Sequence, residues 1–146
     1  MGVDLGQRRI GVAVSDGTGT LASPRCTIER RSGGRGGDAA HWQAVAAVVD
    51  EVDARRVVVG LPLSLNGRRG PAARAAQADA EELAQVLSSR GVTVETFDER
   101  LTTVSAARAL AEAGRRGRDR RTRIDETAAA VLLQAWLDTH PGSGGA

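Results

Sequence analysis

The chain has 146 residues and a net charge of +2, from 20 basic and 18 acidic side chains, which suits one domain burying about two-thirds of its unfolded surface. A single cysteine, Cys26, excludes an internal disulfide framework, fits a reducing compartment and, without a Cys/His cluster, leaves no structural zinc site. No apolar run approaches the roughly 18 residues of a membrane span and no export signal opens the chain, so a cytoplasmic location with no membrane partner is expected.

Residues 1–5 and 10–15 are short Val- and Ile-rich runs separated by Gly6, Gln7, Arg8 and Arg9, a hairpin pattern. A third strand is predicted over Pro24–Glu29. The stretch RRSGGRGGD from Arg30 to Asp38 reads as a connector, because so many glycines lose too much entropy in regular structure. Asp38 is placed to cap a helix over Ala39–Val52.

The run RVVVGLP from Arg56 suits a strand buried on both faces, and LSLNGRRG follows as a loop. A helix is predicted from Pro71 to Arg90 with Gly91 as its stop. VTVETF is another strand, leading into DERLTT, where Thr102 or Thr103 caps a helix reaching Ala113. A last helix is predicted over Ile124–Thr139. Residues 1–140 then form a single domain and 141–146 a disordered tail. Early hairpins followed by strand–helix alternation give an α/β fold with a five-stranded mixed sheet. Strands one to three are antiparallel, strands four and five parallel, and helices flank the sheet.

Asp4 lies between Val3 and Leu5 in a strand that reads as buried, where an ionised carboxylate is costly unless something cationic holds it. An ion pair with Arg8 or Arg9 across the hairpin is one answer. With strands one, four and five side by side, Asp4 meets the segment after VTVETF, which offers Asp98 and Glu99. Alternation lets only one of them share the face of Asp4, and the pattern leaves the choice open. On the last helix, Thr127, Gln134 and Asp138 mark a wet edge. Asp125 lies roughly 160° away, on the stripe of Ala129, Leu132 and Trp136. A capping box between Thr122 and Asp125 is the bland alternative.

Three inward acids so placed suit Mg²⁺ or Mn²⁺, one or two ions, since hard oxygen ligands with open positions match those cations. Two ions about 3.5–4 Å apart activate water in phosphodiester hydrolysis. All basic residues are Arg. Arg115, Arg116, Arg118, Arg120, Arg121 and Arg123 crowd into RRGRDRRTR, a loop that reads either as solvated or as a phosphate-contacting patch. Arg100, beside the acids, is placed to steady transition-state charge. With Trp42, Trp136 and Phe97 as the aromatics and Trp136 read as core, no base-stacking platform is expected. His41 and His140 read as lying on helix ends or surfaces.

The motifs GVDLGQRRIGVAVSD, VVVGLPLSLNG, DERLTT and RIDETAAAVLLQAWL, in this order, closely resemble the YqgF (RuvX) family over nearly the whole chain. The resemblance implies an RNase H-like fold and an acidic site matching Asp4, Glu99 and Asp125, so that it selects Glu99 over Asp98. It also implies a bacterial nuclease that processes the 5′ end of pre-16S rRNA, or a Holliday junction resolvase acting on branched DNA. A resolvase of that kind needs two sites and a homodimer, whereas RNA processing allows a monomer. Only Met1, Gly2 and Val3 precede Asp4, fewer than in the family, so a clipped first strand with a start upstream is expected. The Gly-rich connector is also unusual for the family.

Two readings of another kind compete. An ATPase of the actin and sugar-kinase type shares the DLGxxxxGVAVSD pattern but needs a second phosphate loop and lobe. A non-catalytic nucleic-acid-binding module would bind without metal-dependent cleavage, and retention of all three carboxylates argues against it.

Overall fold

The Val-rich segments become the centre of a sheet. The computed structural model describes residues 1–30, 37–64, 66–102 and 118–143, and among these the side chains of all but 37–39, 101 and 118–126. The strands are β1 (Gly2–Leu5), β2 (Arg9–Ser15), β3 (Ala22–Glu29), β4 (Arg56–Leu61) and β5 (Thr93–Asp98). The helices are α1 (Gly37–Val52), α2 (Pro71–Leu87) and α3 (Arg118–Thr139). The sheet order is β3-β2-β1-β4-β5, with β1 to β3 antiparallel and β4 and β5 parallel to β1, as the alternation of elements predicts.

Two apolar layers enclose the sheet. Val3, Ile10, Val12, Val57 and Val59 pack with Trp42, Val45 and Val49 of α1 and Leu83 and Leu87 of α2. Val58, Ala13 and Phe97 point the other way, onto Ala129, Leu132, Leu133 and Trp136 of α3. Each fully buried Leu or Val contributes about 1.5–3 kcal/mol, so the sheet is clamped on both faces and its central strands form a rigid platform.

Several predicted boundaries shift for local reasons. β3 starts at Ala22 rather than Pro24, and Pro24 is tolerated because β3 is an edge strand, with a register shift between Val12 and Ala13 opposite it. β5 runs one residue further than predicted, through Asp98, and α1 begins at Gly37. α2 gives way to a 3₁₀ turn at Ser88–Arg90, and Gly91 stops it at φ 66°. Asp16 closes the β2–β3 turn by accepting from the backbone N–H groups of Thr20 and Leu21, bonds that hold its carboxyl at about 2.

The larger correction concerns α3. It begins at Arg118, not Ile124, so Arg118, Arg120 and Arg121 belong to a helix rather than a loop. Arginine is a good helix former, and past Gly117 the sequence has neither Gly nor Pro to halt a helix, so the charge run continues the fold. Thr122 therefore lies inside the helix, which removes the capping-box reading of Thr122 with Asp125. The helix predicted from Thr102 or Thr103 to Ala113, and Arg115 and Arg116 with it, lie outside the described residues, as does the last part of the predicted tail, 144–146. His41 is also not at the surface: it is 3% exposed and sits edge-on to Trp42 at 4.4 Å. His140 stacks on Trp136, ring centroids 4.3 Å apart.

Candidate active site

Asp4, on the central strand β1, is 1% exposed. Its direction follows from its neighbours. A Cβ on Gly2 would stand 2.8 Å from Leu133 Cβ and 3.0 Å from the Ala129 carbonyl oxygen, so Gly2 faces α3. Side chains alternate along a strand, so Asp4 faces α3 as well, while Val3 packs in the opposite layer. The ion pairs of the described residues include neither Arg8 nor Arg9, which removes the hairpin ion-pair reading of Asp4.

Both lateral neighbours of Asp4 are glycines. Gly11 stands opposite it on β2. On the other side, β1 and β4 pair Gly2 with Val58 and Val3 with Val59, and the same register one residue on brings Asp4 beside Gly60. A glycine inside a strand marks a place where something approaches closely. Here that something is Glu99.

The pairing of β4 with β5 sets Gly60 beside Phe97 on the α3 face and Leu61 beside Asp98 on the α1–α2 face. That assigns the two carboxylates to different sides of the sheet. The chain then turns sharply through a 3₁₀ turn at Glu99–Leu101, because Asp98 Oδ1 accepts from the Arg100 backbone N–H at 2.9 Å. Thr102 completes the turn, its backbone N–H and its Oγ1 both donating to the Glu99 carbonyl oxygen, at 3.0 and 2.8 Å. Glu99, 6% exposed, is thereby folded back over the sheet. Its Oε1 lies 2.6 Å from the point where a Cβ on Gly60 would stand, and Leu132 Cδ2 of α3 lies 3.2 Å from that point. Adjacent strands are about 4.8 Å apart, so the Glu99 carboxylate stands roughly one strand spacing from Asp4, on the same face and beneath the same helix.

Arg100 is engaged elsewhere. Its Nε and Nη2 fork onto Asp98 Oδ2 at 2.9 and 2.6 Å. The Arg100 hydrogen bonds hold the Asp98 carboxyl below the usual carboxylate range and raise the Arg100 guanidinium further. Its Nη1 also lies 3.2 Å from where a Cβ on Gly67 would be, and Gly67 has φ 79°. Arg100 therefore links the turn carrying Glu99 to the loop after β4.

Asp125 lies within α3, one turn before Ala129 and two before Leu132, the residues that meet Gly2 and Gly60. Its own side chain, and those of Arg118, Arg120 and Arg121, lie outside the described residues. Thr127 and Asp138 are exposed while Ala129, Leu132 and Trp136 are buried, so the wet and dry edges of α3 fall as the periodicity predicts. Half-buried Gln134 adds a clasp, accepting from the Ala22 N–H at 2.9 Å and donating to the Thr20 carbonyl at 2.9 Å.

Asp4 and Glu99 suit a hard divalent cation. Asp4 presents its carboxylate from the central strand and Glu99 from the turn after β5, and the glycines on either side of Asp4 put no side chain of their own between them. Among the described residues no group of three or more His, Cys, Asp or Glu forms a metal cluster, so the pair is what the described side chains contribute. Sequence reasoning missed the two glycines, although a Gly inside each apolar run was the available signal. Asp98, which the sequence offers as a cap for the element after the last strand, is that cap, and in closing the 3₁₀ turn it sends Glu99 inward.

A family model described as RuvX, Holliday junction resolvase, matches residues 1–139. A protein of Myxococcus xanthus (strain DK1622) is 48% identical over 140 residues, covering 96% of this chain and 87% of its own. One of Mycobacterium sp. (strain KMS) is 46% identical over 154 residues, covering 99% and 86%. Both carry the name "Putative pre-16S rRNA nuclease". Among solved structures, Thermus thermophilus RuvC in complex with a Holliday junction substrate matches with a TM-score of 0.62 at 14% identity, over 97% of this chain and 94% of that one. A second T. thermophilus RuvC structure matches with 0.62 at 15% identity, over 97% and 95%. At such identities the likeness is one of fold, and the fold is RNase H-like. On the family match and these relatives together, the chain belongs to the RuvX family.

Proposed function

We propose that this protein is a Mg²⁺- or Mn²⁺-dependent endonuclease of structured nucleic acid that processes the 5′ end of pre-16S rRNA in the cytoplasm. The observation that carries the reading is the placement of Asp4 and Glu99 on one face of the sheet, over Gly60 and under α3. The names of the relatives from Myxococcus xanthus and Mycobacterium favour the RNA substrate. Asp4, Glu99 and Asp125 hold the cation, Asp125 entering from the helix that covers the other two. A divalent ion held there supplies charge neutralisation and Lewis-acid activation of water for attack on the phosphodiester.

The residues of the chain do the rest. The sheet fixes Asp4, the Asp98–Arg100–Thr102 turn fixes Glu99, and the buried stripe of α3 fixes the height of Asp125. Arg115, Arg116, Arg118, Arg120 and Arg121 seat the backbone of the substrate. Arg100, held by Asp98, sets the turn that carries Glu99 and stands beside the acids, placed to steady transition-state charge. With Trp42 and Trp136 both buried, recognition is of shape and phosphate and weakens steeply with salt. Among the described residues no helix is long and apolar enough to cross a membrane.

Resolution of a four-way junction is the second reading, favoured by the description of the matching family model, and it would require a homodimer to supply two sites. Cleavage of a precursor 16S rRNA fragment and of a four-way DNA junction, each with Mg²⁺, Mn²⁺ or chelator, separates the two. RNA cut near the mature 5′ end, with cleavage abolished by chelator and by Asp4→Asn, is the expected result. Binding of both substrates without cleavage under any metal would establish a non-catalytic module instead.

A further inference from the structure

The arginines of the described residues divide by position. Arg25, Arg30, Arg56, Arg90 and Arg100 each pair with a carboxylate. Arg8, Arg9, Arg55, Arg68, Arg69 and Arg74 form no ion pair among the described residues. Of these, only Arg55 stands where the parallel strands begin, just before β4. The other five lie past the ends of β1 and β4: Arg8 in the turn after β1, Arg9 opening β2, Arg68 and Arg69 in the loop after β4, and Arg74 in the first turn of α2. That is the end of the sheet where Asp4, Gly60 and Glu99 meet.

Arg8, Arg68 and Arg69 are exposed and lie on short, tied loops. The hairpin turn is closed by the Gly6 N–H donating to the Arg9 carbonyl at 2.8 Å, and Arg30 Nη1 donates to the Gly6 carbonyl at 3.0 Å. In the loop after β4, the Ser64 N–H and Ser64 Oγ both donate to the Arg68 carbonyl, at 3.2 and 3.0 Å, and the Arg68 N–H donates to Asn66 Oδ1 at 3.1 Å. Arg100 supports that loop from below at Gly67. Like charges on held backbone at one end of the sheet, with no ion pair to a carboxylate among the described residues, gain little for folding. They are suited to a polyanion.

We propose that Arg8, Arg68 and Arg69 form a phosphate-contacting rim beside the acidic site, gripping the backbone of the nucleic-acid strand that enters it. This rests on the nuclease reading and adds a contact surface separate from the Arg115–Arg121 segment. The shared chemistry is the phosphodiester backbone, which RNA and branched DNA both offer, so both serve as probes.

The test is binding by fluorescence anisotropy in chelator, from 50 to 200 mM salt, on a four-way DNA junction and on a precursor 16S rRNA fragment. Wild type is compared with Arg8→Ala, Arg68→Ala/Arg69→Ala and Arg55→Ala, each first shown to melt as wild type does. On duplex arms each lost phosphate contact lowers the slope of log affinity against log salt by about 0.9, so the double variant loses about 1.8. Over that fourfold rise in salt it then sheds about 12-fold less affinity than wild type. Arg8→Ala loses about half that slope and Arg55→Ala none. The probe on which the slope changes identifies the backbone that the rim grips. Unchanged slopes and affinities in the rim variants on both probes would overturn the proposal, as would an equal loss in Arg55→Ala. Rim-dependent binding without metal-dependent cleavage sinks the nuclease reading and leaves the rim standing. Cleavage with rim-independent binding does the reverse.

Discussion

Replacing Gly60 by Ala separates the geometry of the site from the stability of the fold. The new methyl group would stand 2.6 Å from Glu99 Oε1 and 3.2 Å from both Glu99 Cγ and Leu132 Cδ2. To reach a tolerable 3.0–3.4 Å the Glu99 carboxylate has to retreat by 0.4–0.8 Å. The backbone has no objection, since Gly60 lies inside β4 and is absent from the positive-φ glycines. Glu99 is the far end of a flexible side chain and Leu132 needs to give by only a few tenths of an ångström. The strain is therefore small and is offset by the 0.4–1 kcal/mol or so that Gly→Ala gains through the unfolded chain. Unfolding free energy is predicted to change by less than about 1 kcal/mol. Activity is another matter, because a misplacement approaching 1 Å in a positioned group costs on the order of 10²-fold. Urea melts read the first quantity and single-turnover cleavage of the precursor RNA in Mg²⁺ reads the second, with a loss of about 10- to 100-fold expected. Wild-type cleavage by a folded Gly60→Ala protein would refute the placement of Glu99 over Gly60.

Asp98→Ala removes the cap that turns Glu99 inward, whereas Asp98→Asn keeps an acceptor for the Arg100 N–H. The Ala variant is predicted to need about tenfold more Mg²⁺ for half-maximal cleavage, and Asn to restore much of that loss, a split that equal metal demand would disprove. The same pair fixes a pH window. Because hydrogen bonds from Arg100 depress the Asp98 carboxyl, its contribution to stability is whole above the ordinary Asp value near 3.9 and fades as pH falls through the depressed one. Thermal melts should therefore be flat with respect to this residue from pH 5 to 8, and Asp98→Asn should flatten part of the acid-side fall. Arg30 binds Asp79 in a two-pronged pair at 3.0 and 3.1 Å, with both side chains less than one-fifth exposed, and also holds the Gly6 carbonyl. Arg30→Ala should lower stability by about 1–3 kcal/mol, read as a lower urea midpoint with unchanged slope, and no change in midpoint would remove it as a tie.

Much of this was legible in the sequence because apolar runs and helical periodicity are strong, additive signals. Val57 to Val59 announced a strand buried on both faces, and the stripe of Ala129, Leu132 and Trp136 announced which edge of the last helix is dry. Asp4 stood out because a carboxylate among valines is costly. Where reading failed, the deciding interaction was local geometry or long range. Alternation through Val92 and Val94 leaves Asp98 and Glu99 open, since Phe97 packs on the opposite layer and Glu99 already opens a 3₁₀ turn. Gly60 is one small residue in an apolar run, and only the register with β1 and β5 shows it as the floor beneath Glu99. The Arg-rich run reads as a loop on charge density alone, whereas arginine's helix propensity carries the last helix back to Arg118. His41 read as superficial because its helix begins so near, yet it is buried.

Titration of the apo protein with Mn²⁺ by calorimetry tests, without reference to turnover, whether Asp4, Glu99 and Asp125 act as one cation site. Wild type should bind, and Asp4→Asn, Glu99→Gln and Asp125→Asn should each weaken binding at least tenfold while remaining folded. Mn²⁺ binding of wild-type strength in any of the three would contradict a single shared site.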